Sequence, residues 1–257
     1  MAFAIALSDE QWELVADLFD PPGRRGAPAA IPRRQMVDAM LFLARTGCQW
    51  RYLPERYGAW SAVWAQWRRW RANGVWERAM TRLAAVVRIL HDREPFPSMV
   101  MIDAQTVKGA RYGPTFHQAG GPGGRTIGTK RALLVEILCL PFAASAGSAR
   151  PHDVRSGRDL LRERLDELPR LSAIVGDRAY RGLAALAERK HLRLDLKAPP
   201  KGTSGFIPPW PLYKVEHAFA HLGRWRRLSR CYEGSEASAR AWLEVASVGY
   251  LAWRALV

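Results

Sequence analysis

The sequence predicts a mixed α/β domain behind a smaller all-helical segment. Through residues 1–94 apolar residues recur at helical spacing, and after Pro95-Phe96-Pro97 they fall into short runs that alternate with helical stretches. The boundary is therefore set between 1–94 and 98–257. A third observation bears on chemistry: two of the apolar runs, Met99-Val100-Met101-Ile102 and Ala173-Ile174-Val175-Gly176, each lead straight into an aspartate.

In chain order, Ser8 with Gln11 three residues later has the form of a capping box. Trp12, Val15, Leu18 and Phe19 follow at helical spacing, and Pro21-Pro22-Gly23 stops the helix. Pro32 suits the first turn of a second helix with Met36, Val37, Met40, Leu41 and Ala44 on its apolar face and Gly47 at its end. Residues 50–76 are rich in Trp and Arg. Ser61 is expected to cap a helix carrying Trp64, Trp67 and Trp70 along one stripe. A tryptophan stripe is more often packed core than a base-stacking surface. The tryptophans are therefore assigned to the core, and the interleaved Arg68, Arg69 and Arg71 to DNA. Asn73-Gly74 breaks that helix and 75–90 resume another, giving the outline of a helix-turn-helix module.

Beyond the boundary, 98–107 reads as a buried strand through Asp103, and 109–129 as a Gly-rich polar loop. Strands are expected at 132–138 and 142–146 with a turn at 138–141, then a helix at 157–168 and a strand at 171–176 ending at Asp177. A helix at 183–190, a short strand at 192–196 and a Pro-rich loop at 198–213 follow. Helices at 214–227, bearing Glu216, and 235–256 complete the order, which is that of an α/β domain.

Composition narrows the partners. Lys and Arg number 39 against 24 Asp and Glu, a formal charge of +15, and such a surplus attracts nucleic acid. Cys48, Cys139 and Cys231 form no CxxC pair, so neither a zinc site nor a disulfide framework is indicated, and a reducing cytoplasm is the simplest compartment. Residues 1–7 lack the basic leader and apolar core of a signal peptide. The apolar stretch 132–149 is interrupted by Glu136 and Pro141, so no membrane association is expected.

An aspartate at the C-terminal end of a buried strand costs free energy unless something compensates it. That end is where ligands bind in open α/β sheets, and a divalent metal would compensate both Asp103 and Asp177. Capping of the following turn is the alternative for each. His152-Asp153 reads as a loop pair able to support such a site. His117 and His217 read as surface or supporting residues, since a hard cation prefers oxygen ligands. Lys108, Lys130, Arg131, Arg178, Arg224, Arg226 and Arg227 are candidate phosphate contacts.

Specific blocks carry a resemblance. Ile102-Asp103-Ala104-Gln105-Thr106-Val107-Lys108, Gly128-Thr129-Lys130-Arg131-Ala132-Leu133-Leu134-Val135, Val175-Gly176-Asp177-Arg178-Ala179-Tyr180, and Val215-Glu216-His217-Ala218-Phe219-Ala220 followed by Arg226-Arg227-Leu228 resemble, in order, catalytic blocks of insertion-sequence DDE transposases of the IS-five type. Leu7-Ser8-Asp9-Glu10-Gln11-Trp12, Arg45-Thr46-Gly47-Cys48-Gln49-Trp50-Arg51-Tyr52-Leu53-Pro54 and Trp67-Arg68-Arg69-Trp70 match the N-terminal part, so the resemblance covers nearly the whole chain. It implies an RNase H-like mixed sheet flanked by helices. It also implies that Asp103, Asp177 and Glu216 bind two Mg²⁺ ions, with Mn²⁺ an alternative; the expected division is Asp103 bridging both, Asp177 holding one and Glu216 the other. The implied activity is metal-dependent cleavage of transposon ends and strand transfer into target DNA. The implied partner is double-stranded DNA, both terminal inverted repeats and target, and pairing two ends favours a homodimer. A nuclease of the same fold without strand transfer, and a decayed or repurposed DNA-binding protein, are the alternatives. The gap between Asp177 and Glu216 is too short for the large β-insertion of some relatives. The sequence departs from the pattern at Leu212 and Gly223, where basic residues are usual, and at Cys139, where a turn glycine is usual. Arg224 and Arg227 return to the helix face of Glu216 and are the expected substitutes for Gly223.

Overall fold

The computed structural model describes residues 6–23, 30–110, 118–120, 124–198 and 209–256. His117 and most of the Pro-rich 198–213 segment lie outside them.

The helical segment begins as expected and then departs in detail. The Ser8 hydroxyl accepts from the Gln11 N–H at 3.2 Å and the Gln11 side chain returns a bond to the Ser8 N–H at 2.9 Å, a complete capping box. The helix it opens is nevertheless split into α1 (Asp9–Glu13) and α2 (Ala16–Phe19), which lets Val15 and Phe19 both reach the core. Helix α3 (Arg33–Thr46) starts behind Pro32 and ends on Gly47 in the left-handed conformation. Helix α4 (Trp60–Ala72) starts one residue before Ser61, with Ala59 as its cap, so Ser61 does not cap it. Trp67 and Trp70 are buried, whereas Trp64 is 37% exposed, because the three-residue step drifts around the helix. Helix α5 (Val75–Leu90) completes the segment.

The sheet has strands β1 (Met99–Lys108), β2 (Gln118–Gly120), β3 (Thr126–Val135), β4 (Pro141–Ser148), β5 (Ala173–Asp177) and β6 (Arg193–Lys197). β1, β5 and β6 run parallel, while β3 is antiparallel to β1 and carries β4 and β2 on its far edge. Residues 126–129, expected in a loop, extend β3 instead. Gly128 and Thr129 are paired on both sides, and at Gly128 a Cβ would stand 1.9 Å from the Val107 carbonyl oxygen, so only glycine allows that approach. Helices α6 (Asp153–Arg164), α7 (Ala184–Arg189), α8 (Tyr213–Gly223) and α9 (Glu236–Arg254) flank the sheet. This is the RNase H-like arrangement. Helix α6 starts four residues earlier than the sequence suggests, with His152 as its cap, so His152-Asp153 is a helix start rather than a loop pair.

The turn between β3 and β4 falls where expected. Cys139 there has φ +65°, the left-handed region that favours glycine. Glu136 shapes the turn: its carboxylate accepts from the Leu138 and Leu140 N–H groups and pairs with Arg88 of α5. Both charges are buried, so each depends on the other.

The buried core is continuous through both parts of the chain. α3, α4 and α5 pack on α9, and α5 also meets β4. Trp67 of α4 stacks on Trp242 of α9 with ring centroids 5.3 Å apart. Among the described residues no helix is long and apolar enough to cross a membrane.

Candidate active site

Strand register decides where the acids meet. β1 and β5 pair in parallel with Met101 opposite Val175. Two residues on, Asp103 and Asp177 stand level on adjacent strands and on the same face, because strand side chains alternate with period two. Glu216 lies in the first turn of α8, which packs on β1 and β3. Its carboxyl is near enough to act on Asp103. The negative charge of Asp177 also acts on Asp103. Burial, then the repulsion of Glu216 and Asp177, pushes the Asp103 carboxyl up to about 7.

Asp177 takes both roles that its position allowed. Its Oδ1 accepts from the Ala179 N–H at 2.9 Å and so caps the 3₁₀ turn Arg178–Leu183, while its charge bears on Asp103. Among the described residues no group of three or more His, Cys, Asp or Glu side chains is spaced to grip a metal ion. The acids are neighbours, with Asp177 turned to its cap. Their chemistry still fits a hard divalent cation, because all three are oxygen donors and a cation between them would reverse each repulsion.

Tyr180, quoted in the Asp177 motif but given no role there, lies fully buried beneath the acids. Among the described residues its hydroxyl has no hydrogen-bond partner. Burial and the charges of Asp103, Asp153 and Asp177 all raise its phenol pKa. Gly157 of α6 lets this ring approach, since a Cβ there would stand 2.8 Å from Tyr180 Cε1.

The basic residues divide into two sets. Arg68, Arg69, Lys108, Arg178, Arg224 and Arg226 are exposed. Arg68 lies 4.8 Å over the Trp64 ring, and Arg69 donates to Gln66 at 3.3 Å. The other set corrects the expectation of phosphate contacts, because each of its members serves inside the protein. Lys130 is 5% exposed, bonds the Pro151 carbonyl and pairs with Asp153 at 2.5 Å. Arg131 is 5% exposed and donates to the Leu228 carbonyl at 2.6 Å. Arg71 bonds the Ser238 hydroxyl and lies 4.9 Å over Trp67. Arg227 pairs with Glu233 at 2.8 Å and lies 4.1 Å over Trp242, which also removes it as a substitute for a basic residue at 223. His217 is exposed and packs edge-on against Tyr213.

A helical segment followed by an RNase H-like sheet with an aspartate on each of two neighbouring parallel strands has the form of the DDE transposases. Residues 94–205 match the family described as "Transposase DDE domain" and residues 7–80 the one described as "Putative transposase of IS4/5 family". Asp103 and Asp177 fall inside the first match and Glu216 beyond it. An insertion element IS402 protein of 16.2 kDa from Burkholderia cepacia, named as uncharacterized, is 33% identical over 118 residues, 44% of this chain and 79% of that protein. The uncharacterized protein y4sN of Sinorhizobium fredii is 35% identical over 118 residues, 45% of this chain and 86% of that protein. No solved structure matches. The chain belongs to the insertion-sequence DDE transposases of the IS4/5 group.

Proposed function

We propose that the protein cuts the ends of its insertion element and joins them to target DNA, using Asp103, Asp177 and Glu216 to hold two divalent cations, Mg²⁺ or Mn²⁺. The observation that carries the reading is the parallel register of β1 and β5, which sets Asp103 level with Asp177 beside Glu216 of α8. Acids so remote in the chain, crowded together on one side of the sheet, cost stability and mark a working site. Bound there, the cations would neutralise the phosphodiester and activate the attacking oxygen. In the cut, water would attack the scissile phosphorus and the 3′-oxygen would leave as a hydroxyl; in the joining step that 3′-hydroxyl would attack a target phosphorus and displace the target strand's own 3′-oxygen.

Arg68 and Arg69 on α4, with Lys108, Arg178, Arg224 and Arg226, form the proposed double-stranded DNA interface. They would hold terminal inverted repeats and target through their phosphates. Pairing of two ends calls for a homodimer on DNA, acting in the cytoplasm. Incubation with labelled terminal repeats and Mg²⁺ or Mn²⁺ tests the reading. Cut and joined products are the expected result. Cutting without joining would leave only a nuclease, and a gel shift without cutting only a DNA-binding protein.

A further inference from the structure

Helix α8 differs in charge on its two flanks. Val215, Ala218, Phe219 and Leu222 form its buried face. Glu216 and Gly223 lie to one side of that face. Lys214, His217, His221 and Arg224, spaced by three, four and three residues, fall in a row along the other side. At about 1.5 Å per residue the row is roughly 15 Å long. Arg254, in the last turn of α9, joins it: its charge and those of Arg224 and His217 act on His221. Lys214 and Arg254 both act on Cys139 in the turn between β3 and β4. These two cations rest on neutral groups. Lys214 lies 5.0 Å over the Tyr213 ring, and Arg254 donates to the Leu138 carbonyl at 3.2 Å and to the Tyr250 hydroxyl at 3.0 Å. His221 stacks on Tyr250 with ring centroids 4.8 Å apart, and among the described residues its buried Nδ1 has no hydrogen-bond partner. Glu136, whose charge also acts on Cys139, is buried and paired with Arg88. Like charges gathered in one patch repel, and an anion laid along them would relieve the repulsion.

We propose that this flank of α8, with Arg254, seats the target duplex and holds it through its phosphates. The choice of target over any other duplex rests on the transposase reading. A row of single charges suits a repeating anion. Along one strand of a duplex, phosphates recur about every 3.4 Å of helix axis, so about four fall within the length of the row. Contacts of that kind position a duplex and read no sequence, which suits a partner whose sequence is not that of the element's own ends. The strand being cut must lie against Glu216, about a third of a turn around the helix, and the row is turned away from it. One duplex on each flank of α8 would bring the cut end and the target to within about one helix diameter, ~10 Å, of each other.

The test uses the full chain carrying Asp103→Asn, so its first readout needs no catalysis. The chain is saturated with a labelled duplex of the terminal repeat, and a duplex of unrelated sequence bearing a second label is then added. Both labels are expected in one complex. Adding Lys214→Glu with His217→Glu should weaken capture of the second duplex about tenfold and flatten its dependence on log salt by about 1, while affinity for the terminal repeat falls far less. Unchanged capture, or an equal loss for both duplexes, overturns the proposal. Should that pair of substitutions disturb α8, Arg254→Gln on α9 supplies a second reading. It too should weaken capture of the second duplex, and capture that survives it overturns the proposal. Polyglutamate that displaces the second duplex as well as DNA of equal charge does would make the surface a seat for an acidic protein and overturn the assignment to DNA. With Asp103 restored and Mg²⁺ present, joined product per cut end should fall about tenfold in the chain with Lys214→Glu and His217→Glu, and an unchanged ratio overturns the assignment to the target. Absence of cut or joined products from the parent chain, with capture of both duplexes intact, would sink the transposase reading alone.

Discussion

At Asp103, burial and two like charges act in one direction, and the sign of the consequence can be worked out. A carboxyl with an ordinary value of 3.8 in the unfolded chain and about 7 in the folded one binds more protons when folded across that interval. Its contribution to stability is therefore present at low pH and is lost as the pH rises from about 4 through about 7. Asp103→Asn should raise stability at pH 8 by on the order of 2 kcal/mol and change little at pH 4, read from urea unfolding at the two pH values. Mg²⁺ should raise the melting temperature of the parent chain and leave that of Asp103→Asn almost unmoved. The same substitution should abolish cutting of labelled repeats, and a variant that still cuts with Mg²⁺ would refute the site. Cys139 offers an independent test. Its φ of +65° favours glycine, so Cys139→Gly should stabilise the chain by about 1 kcal/mol in denaturant titration.

Helix α4 and strand β3 each carry arginine or lysine, and the fold gives them opposite work. Arg68→Ala and Arg69→Ala, at exposed positions, should each lower DNA affinity and flatten its dependence on log salt by about 1. Lys130→Met should instead lower the melting temperature, because it leaves Asp153 without its partner, and should leave the salt slope in place. A salt slope unchanged by either arginine substitution would remove α4 from the DNA interface. The contrast explains what could be read from the chain beforehand. Ser8 and Gln11 announced their capping box because the interaction is local. The two aspartates were legible from the apolar runs before them, although β1 continues past Asp103 to Lys108 rather than ending there. Lys130 was misread because its partner lies across a strand pair and at the start of a helix, and only the pleat of β3 turns it inward. Tyr180 was missed for a similar reason: nothing local says that a tyrosine three residues past an exposed aspartate folds back beneath it. Residues 126–129 looked like a loop because glycine and threonine side chains say little about pairing that backbone approach alone makes.

Across the whole molecule, one core joins the helical segment to the sheet. Trp242 of α9 is at its centre, touching Trp50, Trp67 and Arg227. Trp242→Ala should cost about 3–5 kcal/mol, and loss of tryptophan fluorescence and of circular dichroism should coincide in a single transition for parent and variant alike. Two separated transitions would show that the segment of residues 1–94 is held independently of the sheet. Part of this was readable: the order of elements gives the layers, whereas the docking of α9 against α3, α4 and α5 depends on which face each helix turns, and amphipathic spacing leaves that partner unnamed.

The position of α9 late in the chain carries a consequence for synthesis. A polypeptide still threaded in the ribosome with residues 236–254 inside the exit tunnel has nothing to cover the inner faces of α3 and α5, and no clasp holding α4 against the sheet. Docking of the helical segment must therefore wait for residues 236–254 to emerge. Nascent chains paused short of that stretch would offer proteases an open apolar surface.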